Sequence, residues 1–145
     1  MTPDVNVLLA ASRTDHAHHK VAFAWFSKAV DACAHGKNVT LLPMVVASFL
    51  RLTTNAKIFV RPTPIADAIA FIDSLLAVSG VEIASSGSEW LQVRTLCLEK
   101  GLRGNDIPDA WLAATVVHTS EHLVTFDRDF RSLLPRSQVT LLATG

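Results

Sequence analysis

Cysteine is scarce in this chain of 145 residues: it occurs twice, as Cys33 and Cys97. The two lie far apart and outside any Cys-x-x-Cys pair, which excludes the usual disulfide framework and the spacing of a zinc site. Both fall within helix-like apolar patterns, where a free thiol packs as a small hydrophobe. We therefore expect two reduced cysteines that serve packing.

Long apolar runs are also missing. Apolar residues make up 50% of the chain, but no run approaches the roughly 20 residues that span a bilayer. The N-terminus lacks the basic segment and apolar run of a signal peptide, because Asp4 and Asn6 interrupt it. These two absences predict a cytoplasmic protein that makes no membrane contact.

The chain has no excess of charge, with 13 basic and 13 acidic residues. A protein that coats nucleic acid through phosphate neutralisation is usually basic. That class is excluded, which leaves local and transient contacts of the kind an enzyme makes. The candidate RNA contacts are Arg51, Lys57 and Arg61, which follow the second predicted strand, and Arg128 and Arg131, which follow Asp127.

Several motifs that carry chemistry are absent. The chain has no Gly-x-x-x-x-Gly-Lys loop and no Gly-x-Gly-x-x-Gly turn, so nucleotide-binding folds lack support. No Gly-x-Ser-x-Gly turn surrounds Ser48, which argues against a serine nucleophile. His16, His18 and His19 form a dense cluster, for which we weigh a transition-metal site against packing at a helix start and favour packing.

What is present is an alternation of short apolar strands and helices, which predicts an α/β fold with a mainly parallel sheet of four or five strands and helices on both faces. The length and the lack of a linker or repeat predict a single domain over residues 1–145. The predicted strands are 1–4, which leads into an apolar segment at 5–11, then 39–42, 81–84, 122–125 and an edge strand at 139–142. The predicted helices are 15–35, 44–53, one that Thr63 caps, one that ends near Gly101, and one that Asn105 or Asp106 caps and that ends near His118.

Three aspartates fall where open α/β sheets bind ligands, beyond the carboxyl ends of strands. Asp4 ends the first strand, Asp127 follows the fourth, and Asp109 lies in the first turn of the preceding helix, where the helix dipole favours its ionised form. Carboxylates gathered in one pocket repel each other unless a hard cation such as Mg²⁺ or Mn²⁺ joins them. Each aspartate alone fits a turn or a helix cap, but together they favour metal-assisted phosphodiester chemistry.

Three segments carry a family resemblance: residues 4–9 (DVNVLL), 107–114 (IPDAWLAA) and 124–130 (VTFDRDF). Together they resemble the PIN domain, and more narrowly the VapC-type toxin of a bacterial toxin–antitoxin pair. The resemblance covers nearly the whole chain in order and spacing. It implies a PIN-like three-layer sandwich, a Mg²⁺- or Mn²⁺-dependent endoribonuclease with an RNA substrate, a co-expressed antitoxin that blocks the site, and a homodimer.

The resemblance also implies roles for single residues. These are Asp4, Asp109 and Asp127 as catalytic metal ligands, Asp129 as an accessory ligand, and Asn6 and Thr125 as residues that orient the carboxylates or a bound water. Trp111, two residues after Asp109, is expected to point away from it and to pack in the core or a dimer.

One position departs from the family pattern. The family usually carries a glutamate in the helix after the second strand, and the matching residue here is Ser48. A hydroxyl is neutral, so we expect weaker metal affinity, although Ser48 could hold a metal-bound water and Asp129 or Asp106 could supply the charge. The departure leaves two alternatives open: a catalytically degenerate PIN-fold binding module, and a metal-dependent nuclease or phosphohydrolase acting on DNA or a small phosphate ester.

Overall fold

The computed structural model describes residues 1–84, 89–101 and 106–144. Every strand predicted from the sequence is present and is shorter by one or two residues. The strands in the described ranges are β1 (Thr2–Pro3), β2 (Val39–Leu41), β3 (Val81–Ile83), β4 (Leu123–Thr125) and β5 (Val139–Leu141). The pairs β1–β4, β4–β5 and β2–β3 are all parallel, as the alternating pattern predicted.

The five strands lie side by side in the order β3-β2-β1-β4-β5. Hydrogen bonds from Thr2 N to His122 O and from Asp4 N to Val124 O join β1 to β4, whereas β1 and β2 share a bond of 2.8 Å from Thr40 N to Met1 O. The residue of β1 whose N–H would face β2 is Pro3, which has none. This explains why the strands divide into a three-stranded and a two-stranded ladder.

The helices form two packed groups. The structure contains α1 (Val5–Ser12), α2 (His19–Cys33), α3 (Pro43–Thr53), α4 (Ile65–Leu76), α5 (Trp90–Lys100), α6 (Asp106–His118), α7 (Phe130–Leu133) and a short 3-10 helix, Arg136–Gln138. Helix α1 packs on α2 and α3, and α3 on α4; α5 packs on α6, and α6 on α7. The predicted three-layer α/β arrangement is confirmed.

The start of α2 differs from the prediction, which placed it at residue 15. The Arg13 guanidinium bonds both oxygens of Asp15, at 3.1 and 2.8 Å. His18 N donates to His16 Nδ1, and the His18 ring stacks on Phe126. These contacts hold the segment in turns, so α2 begins only at His19.

The predicted cap at Thr63 is wrong. Helix α4 begins at Ile65 without a side-chain cap, because the Thr63 hydroxyl is bonded to Arg13 and Thr53 instead. The predicted cap at Asn105 and the side chain of Cys97 lie outside the described residues.

The core is built from large apolar side chains of both helical groups and the sheet. Phe49, Phe130, Leu8, Leu41 and Leu123 are fully buried, and each such side chain contributes about 1.5–3 kcal/mol to stability. No helix in the described ranges is long and apolar enough to cross a membrane.

A close contact between α2 and the start of β3 supports the packing role predicted for Cys33, which is half-buried. Gly80 has a φ of +92°, and a Cβ there would lie 3.0 Å from the Cys33 Cβ. Only glycine fits both the backbone conformation and the space.

Candidate active site

Asp4 links the central strand to the first helix. Its backbone N–H bonds to β4, while its Oδ1 accepts a hydrogen bond of 2.6 Å from Val5 N at the start of α1. The side chain is buried, with 4% of its residue surface exposed. Burial raises the pKa of the Asp4 carboxyl above its ordinary value of 3.8, against the opposing effect of hydrogen bonds from Thr125 and Val5.

The Thr125 hydroxyl is the centre of the polar network around Asp4. It donates to Asp4 Oδ2 at 2.7 Å, and it accepts from Asn6 Nδ2 and from the Asp127 backbone N, both at 3.0 Å. Thr125 is fully buried at the end of β4. One hydroxyl thus joins the motifs around residues 4 and 127. Thr125 and Asp4, the two residues of this bond, are 121 positions apart in the sequence.

Asn6 completes this network from the first turn of α1. Its Nδ2 donates to Asp4 Oδ2 at 3.1 Å, and its Oδ1 accepts from Phe126 N at 3.3 Å. Both amide atoms are therefore used, which fixes the orientation of the side chain. Asn6 and Thr125 both donate to Asp4 Oδ2, so together they restrict the orientation of the Asp4 carboxylate.

Asp127 begins the turn that follows β4. Its Oδ1 accepts from Asp129 N at 2.8 Å, so the carboxylate is held over the turn that leads into α7. Asp127 is half-buried, whereas Asp129 and Arg128 are exposed.

Asp109 lies in the first turn of α6 and lines one cleft with Asp4. Its pKa is raised from 3.8 to about 6, first by burial and then by the charges of Asp127 and Asp4, with smaller effects of Asp129 and Asp106. The helix dipole at the first turn of α6 favours the ionised form of Asp109. Burial and the neighbouring carboxylates raise its pKa to about 6, at which the carboxyl is still mostly ionised at neutral pH. The side chains of Asp4, Asp109 and Asp127 thus share one electrostatic environment.

A cleft of about 610 Å³ opens beside Asp4 and Asp109. Ser48 and Arg51, one turn apart on α3, line the same cleft and bring a hydroxyl and a guanidinium to it. The rest of its lining is mainly apolar: Val5, Met44, Val45, Leu52, Pro108, Trp111 and Leu112. Arg128, a further candidate RNA contact, is exposed and is not part of the described lining.

Trp111, for which we expected packing in the core or a dimer on the side away from Asp109, is half-buried and is part of the lining of the same cleft. Its indole N–H donates to Glu89 Oε1 at 3.2 Å. Pro108, Trp111 and Leu112 are spaced i, i+3, i+4 on α6, which places them on one helix face. That spacing was the available signal for the apolar wall of the cleft.

The histidine cluster serves packing, as favoured above. The rings of His18 and Phe126 stack with centroids 4.9 Å apart, and His19 Nδ1 bonds Ala10 O at 2.9 Å. Because Phe126 N bonds to Asn6 Oδ1, the stacking of His18 on Phe126 supports the turn that carries Asp127.

Charge, rather than a preformed ligand cage, makes the site suited to a cation. Among the described residues no three His, Cys, Asp or Glu side chains are already arranged to hold a metal ion. The described salt bridges, Met1–Glu121 and Arg13–Asp15, involve none of the site carboxylates. Within the part of the chain that the structure describes, no ion pair offsets the mutual repulsion of these carboxylates, and a hard dication bound by their oxygens would relieve it.

Comparison with known proteins gives matches over most of the chain. The PIN domain family model matches residues 1–133. Two Mycobacterium tuberculosis proteins are similar over 128 residues and 88% of each chain: Ribonuclease VapC25, at 44% identity, and Ribonuclease VapC31, at 41%.

Solved structures agree on the fold. The crystal structure of VapBC2 from Rickettsia felis bound to a DNA fragment from their promoter superposes with a TM-score of 0.66. It covers 98% of both chains at 16% identity, and at that identity the likeness speaks for the fold alone.

Proposed function

Because the chain belongs to the PIN-domain family, among the VapC ribonucleases, we propose that it is the toxin of a type II toxin–antitoxin pair and cleaves RNA with the help of Mg²⁺ or Mn²⁺. The observation that supports this most is geometric: Asp4 and Asp109 line one cleft, and the Thr125 hydroxyl joins Asp4 to the backbone of Asp127. The raised pKa of Asp109, about 6, agrees with it. Three carboxylates from separate parts of the sequence act on one another beside a cleft. Such an arrangement attracts a divalent cation, which in turn attracts the anionic phosphodiester.

Asp4, Asp109 and Asp127 are the residues that would hold the cation, with Asp129 as an accessory carboxylate. The chemistry such an ion supplies is a lowered pKa of bound water and stabilisation of charge on the phosphate. Of the donor atoms, those of Asp4 are the most rigidly placed, because Val5, Asn6 and Thr125 hold both of its oxygens.

The protein's own side chains carry the proton and orient the reacting groups. A water oxygen bonds to phosphorus while the bond from phosphorus to one ribose oxygen breaks. One carboxylate of the site accepts the water's proton, and the departing ribose oxygen takes a proton from solvent. Asn6 and Thr125 do not react; they keep Asp4 in position.

Arg51 and the apolar wall suit the rest of an RNA strand. A guanidinium pairs with phosphate oxygens in a fork, which gives both charge and orientation. Trp111, Met44 and Leu52 offer apolar surface to ribose and base. In this arrangement Arg51 contacts the backbone and Ser48 contacts a water or the substrate.

The partners that we propose are a co-expressed antitoxin that blocks the cleft and a second copy of the chain, with all of them in the cytoplasm. The R. felis neighbour is a VapBC2 structure, which supports an antitoxin partner. Exposed apolar side chains on α2 and α4, namely Phe23, Ile65 and Ile69, are the kind of surface that protein partners cover.

Purified protein is expected to cleave single-stranded RNA when Mg²⁺ or Mn²⁺ is present and to stop when EDTA is added. Gel analysis of a labelled RNA measures the rate, and excess Mg²⁺ added after EDTA is the control that restores it. Matched DNA and a small phosphate ester are tested side by side. Cleavage that persists in EDTA contradicts the metal mechanism, and preferred cleavage of DNA or the ester contradicts the RNA substrate.

The degenerate binding module is the second candidate, because Ser48 lines the cleft where the family usually has glutamate. A Ser48→Glu variant adds a carboxylate beside Asp4 and Asp109, since all three line this cleft. We expect the Mg²⁺ concentration for half-maximal cleavage to fall on the order of tenfold, because carboxylate number tunes divalent-ion affinity.

Ser48→Gln is the matched control, since it has the same length without the charge. A wild type that does not cleave, beside a Ser48→Glu variant that does, supports the degenerate module. An efficient wild type eliminates it.

A further inference from the structure

A second cavity, of about 400 Å³, lies along the edge strand β5 and is lined by Arg131, Arg136, Val139 and Leu141. We call it the arginine trough. Arg131 comes from α7 and Arg136 from the 3-10 helix, so two separate elements direct a guanidinium to one cavity. Val139 and Leu141 alternate along β5 and thus share a face of the strand.

One end of the trough lies close to the polar network that Thr125 forms around Asp4. Leu141 is the register partner of Thr125, and Leu142 N donates to Thr125 O at 2.9 Å. Adjacent strands lie about 4.8 Å apart. One end of the trough is therefore a single strand away from the hydroxyl that joins Asp4 to Asp127.

The charge of the trough is opposite to that of the catalytic centre. Its described lining contains no carboxylate, and both described salt bridges involve other residues. Arg131 and Arg136 are exposed, so neither guanidinium is committed to a carboxylate within the described part of the chain. Paired guanidinium forks over a partly apolar floor fit the oxygens of a phosphodiester and the sugar beside it.

We propose that the arginine trough binds the backbone of the RNA strand as it leaves the catalytic cleft. The inference rests on the proposed RNA cleavage and adds a binding site for substrate away from the reacting phosphate. It also explains how a chain with no net charge holds a polyanion: the contacts are concentrated at this edge of the sheet instead of being spread over the surface.

The test compares two double variants that each remove two positive charges. Arg131→Gln/Arg136→Gln alters the trough, and Lys28→Gln/Lys37→Gln alters exposed positions on and after α2. Binding of a labelled single-stranded RNA is measured by fluorescence anisotropy in EDTA over a salt series. For the trough variant we expect affinity to fall on the order of tenfold and the salt slope to decrease by about 1.4, that is roughly 0.7 for each lost phosphate contact on a single strand.

The control variant is expected to bind as wild type does. With Mg²⁺, the trough variant is expected to raise KM by a similar factor and to leave kcat unchanged, because its residues do not touch the reacting phosphate. The single variants Arg131→Gln and Arg136→Gln, each with about half the slope change, repeat the test if the double variant melts early.

If the trough variant has the same RNA affinity and the same KM as wild type, the proposal that the trough binds RNA is wrong, even if cleavage itself is normal. An equal loss in both double variants also overturns it, because the effect is then one of net charge. A loss specific to the trough variant, in a protein that binds RNA but never cleaves it, supports the trough and instead contradicts the proposed nuclease activity.

Discussion

In an Asp4→Asn variant the rate of metal-dependent RNA cleavage is expected to fall by more than about a hundredfold. Removing even a residue that only hydrogen-bonds to a metal ligand lowers metal affinity or activity by about 10- to 100-fold. Asp4 is buried, and three donors converge on its two oxygens. In the variant an amide N–H₂ replaces one oxygen and faces donors, while the negative charge beside Asp109 disappears. Both the charge and the orientation of the site change together.

The fold is expected to survive this substitution. Asn is as good a helix cap as Asp, and its remaining oxygen still accepts from Val5 N. Asp31→Asn, an exposed charge removal on α2, is the matched control and should cleave as wild type does. Isothermal titration with Mg²⁺ and a thermal melt accompany the cleavage assay. Full activity in Asp4→Asn, or a folded Asp4→Asn variant that binds Mg²⁺ as tightly as wild type does, contradicts the role proposed for Asp4.

Strand and helix order could be predicted from the sequence because the apolar pattern is strong and local. The prediction failed where tertiary contacts determine whether a helix forms and at which residue it begins. The segment after Asp4 was read only as apolar, yet it forms α1, since the Asp4 carboxylate caps its first turn. Arg13 bonds Asp15 and Thr63, and in doing so it delays α2 and removes the cap predicted for α4.

The candidate site was predictable in its acidic residues and not in its electrostatics. Asp4, Asp109 and Asp127 stand at the ends of predicted elements, so their positions follow from topology. The pKa of Asp109 does not follow, because it depends on burial and on side chains from other parts of the chain. The spacing of Pro108, Trp111 and Leu112 places them on one face of α6, but which part of the fold this face meets does not follow from the sequence, since it depends on how α6 packs.

An Asp109→Asn variant is expected to be more stable than wild type without metal at neutral pH, and to lose most of the stabilisation that Mg²⁺ gives. Asp109 is disfavoured as an anion in the folded protein, where its pKa is about 6 instead of 3.8. A carboxyl with a raised pKa contributes most below its unfolded value, and that contribution is lost as pH rises through about 6. Asparagine has no charge to disfavour, so the melting temperature in EDTA should rise by a few degrees near neutral pH.

The pH dependence of the melting temperature tests whether the Asp109 carboxyl is the group responsible for this difference in stability. The difference in melting temperature between Asp109→Asn and wild type in EDTA should be largest near neutral pH and should shrink as pH falls from about 6 toward 3.8. Burial lowers the pKa of His16, and the hydrogen bond from Arg13 lowers that of Asp15. Both groups therefore make the folded protein more stable as pH rises. Because both are present in the wild type and in the variant, their effects cancel in the difference.

Asp67→Asn is the control, at the first turn of another helix, α4. It removes an exposed carboxylate that interacts favourably with a helix dipole, so its melting temperature should stay level or fall. With Mg²⁺ the wild type should gain stability as pH rises through about 6, since the ion must displace the proton, and Asp109→Asn should not. A wild type that Mg²⁺ stabilises equally with and without the Asp109 carboxylate contradicts its place in the metal site.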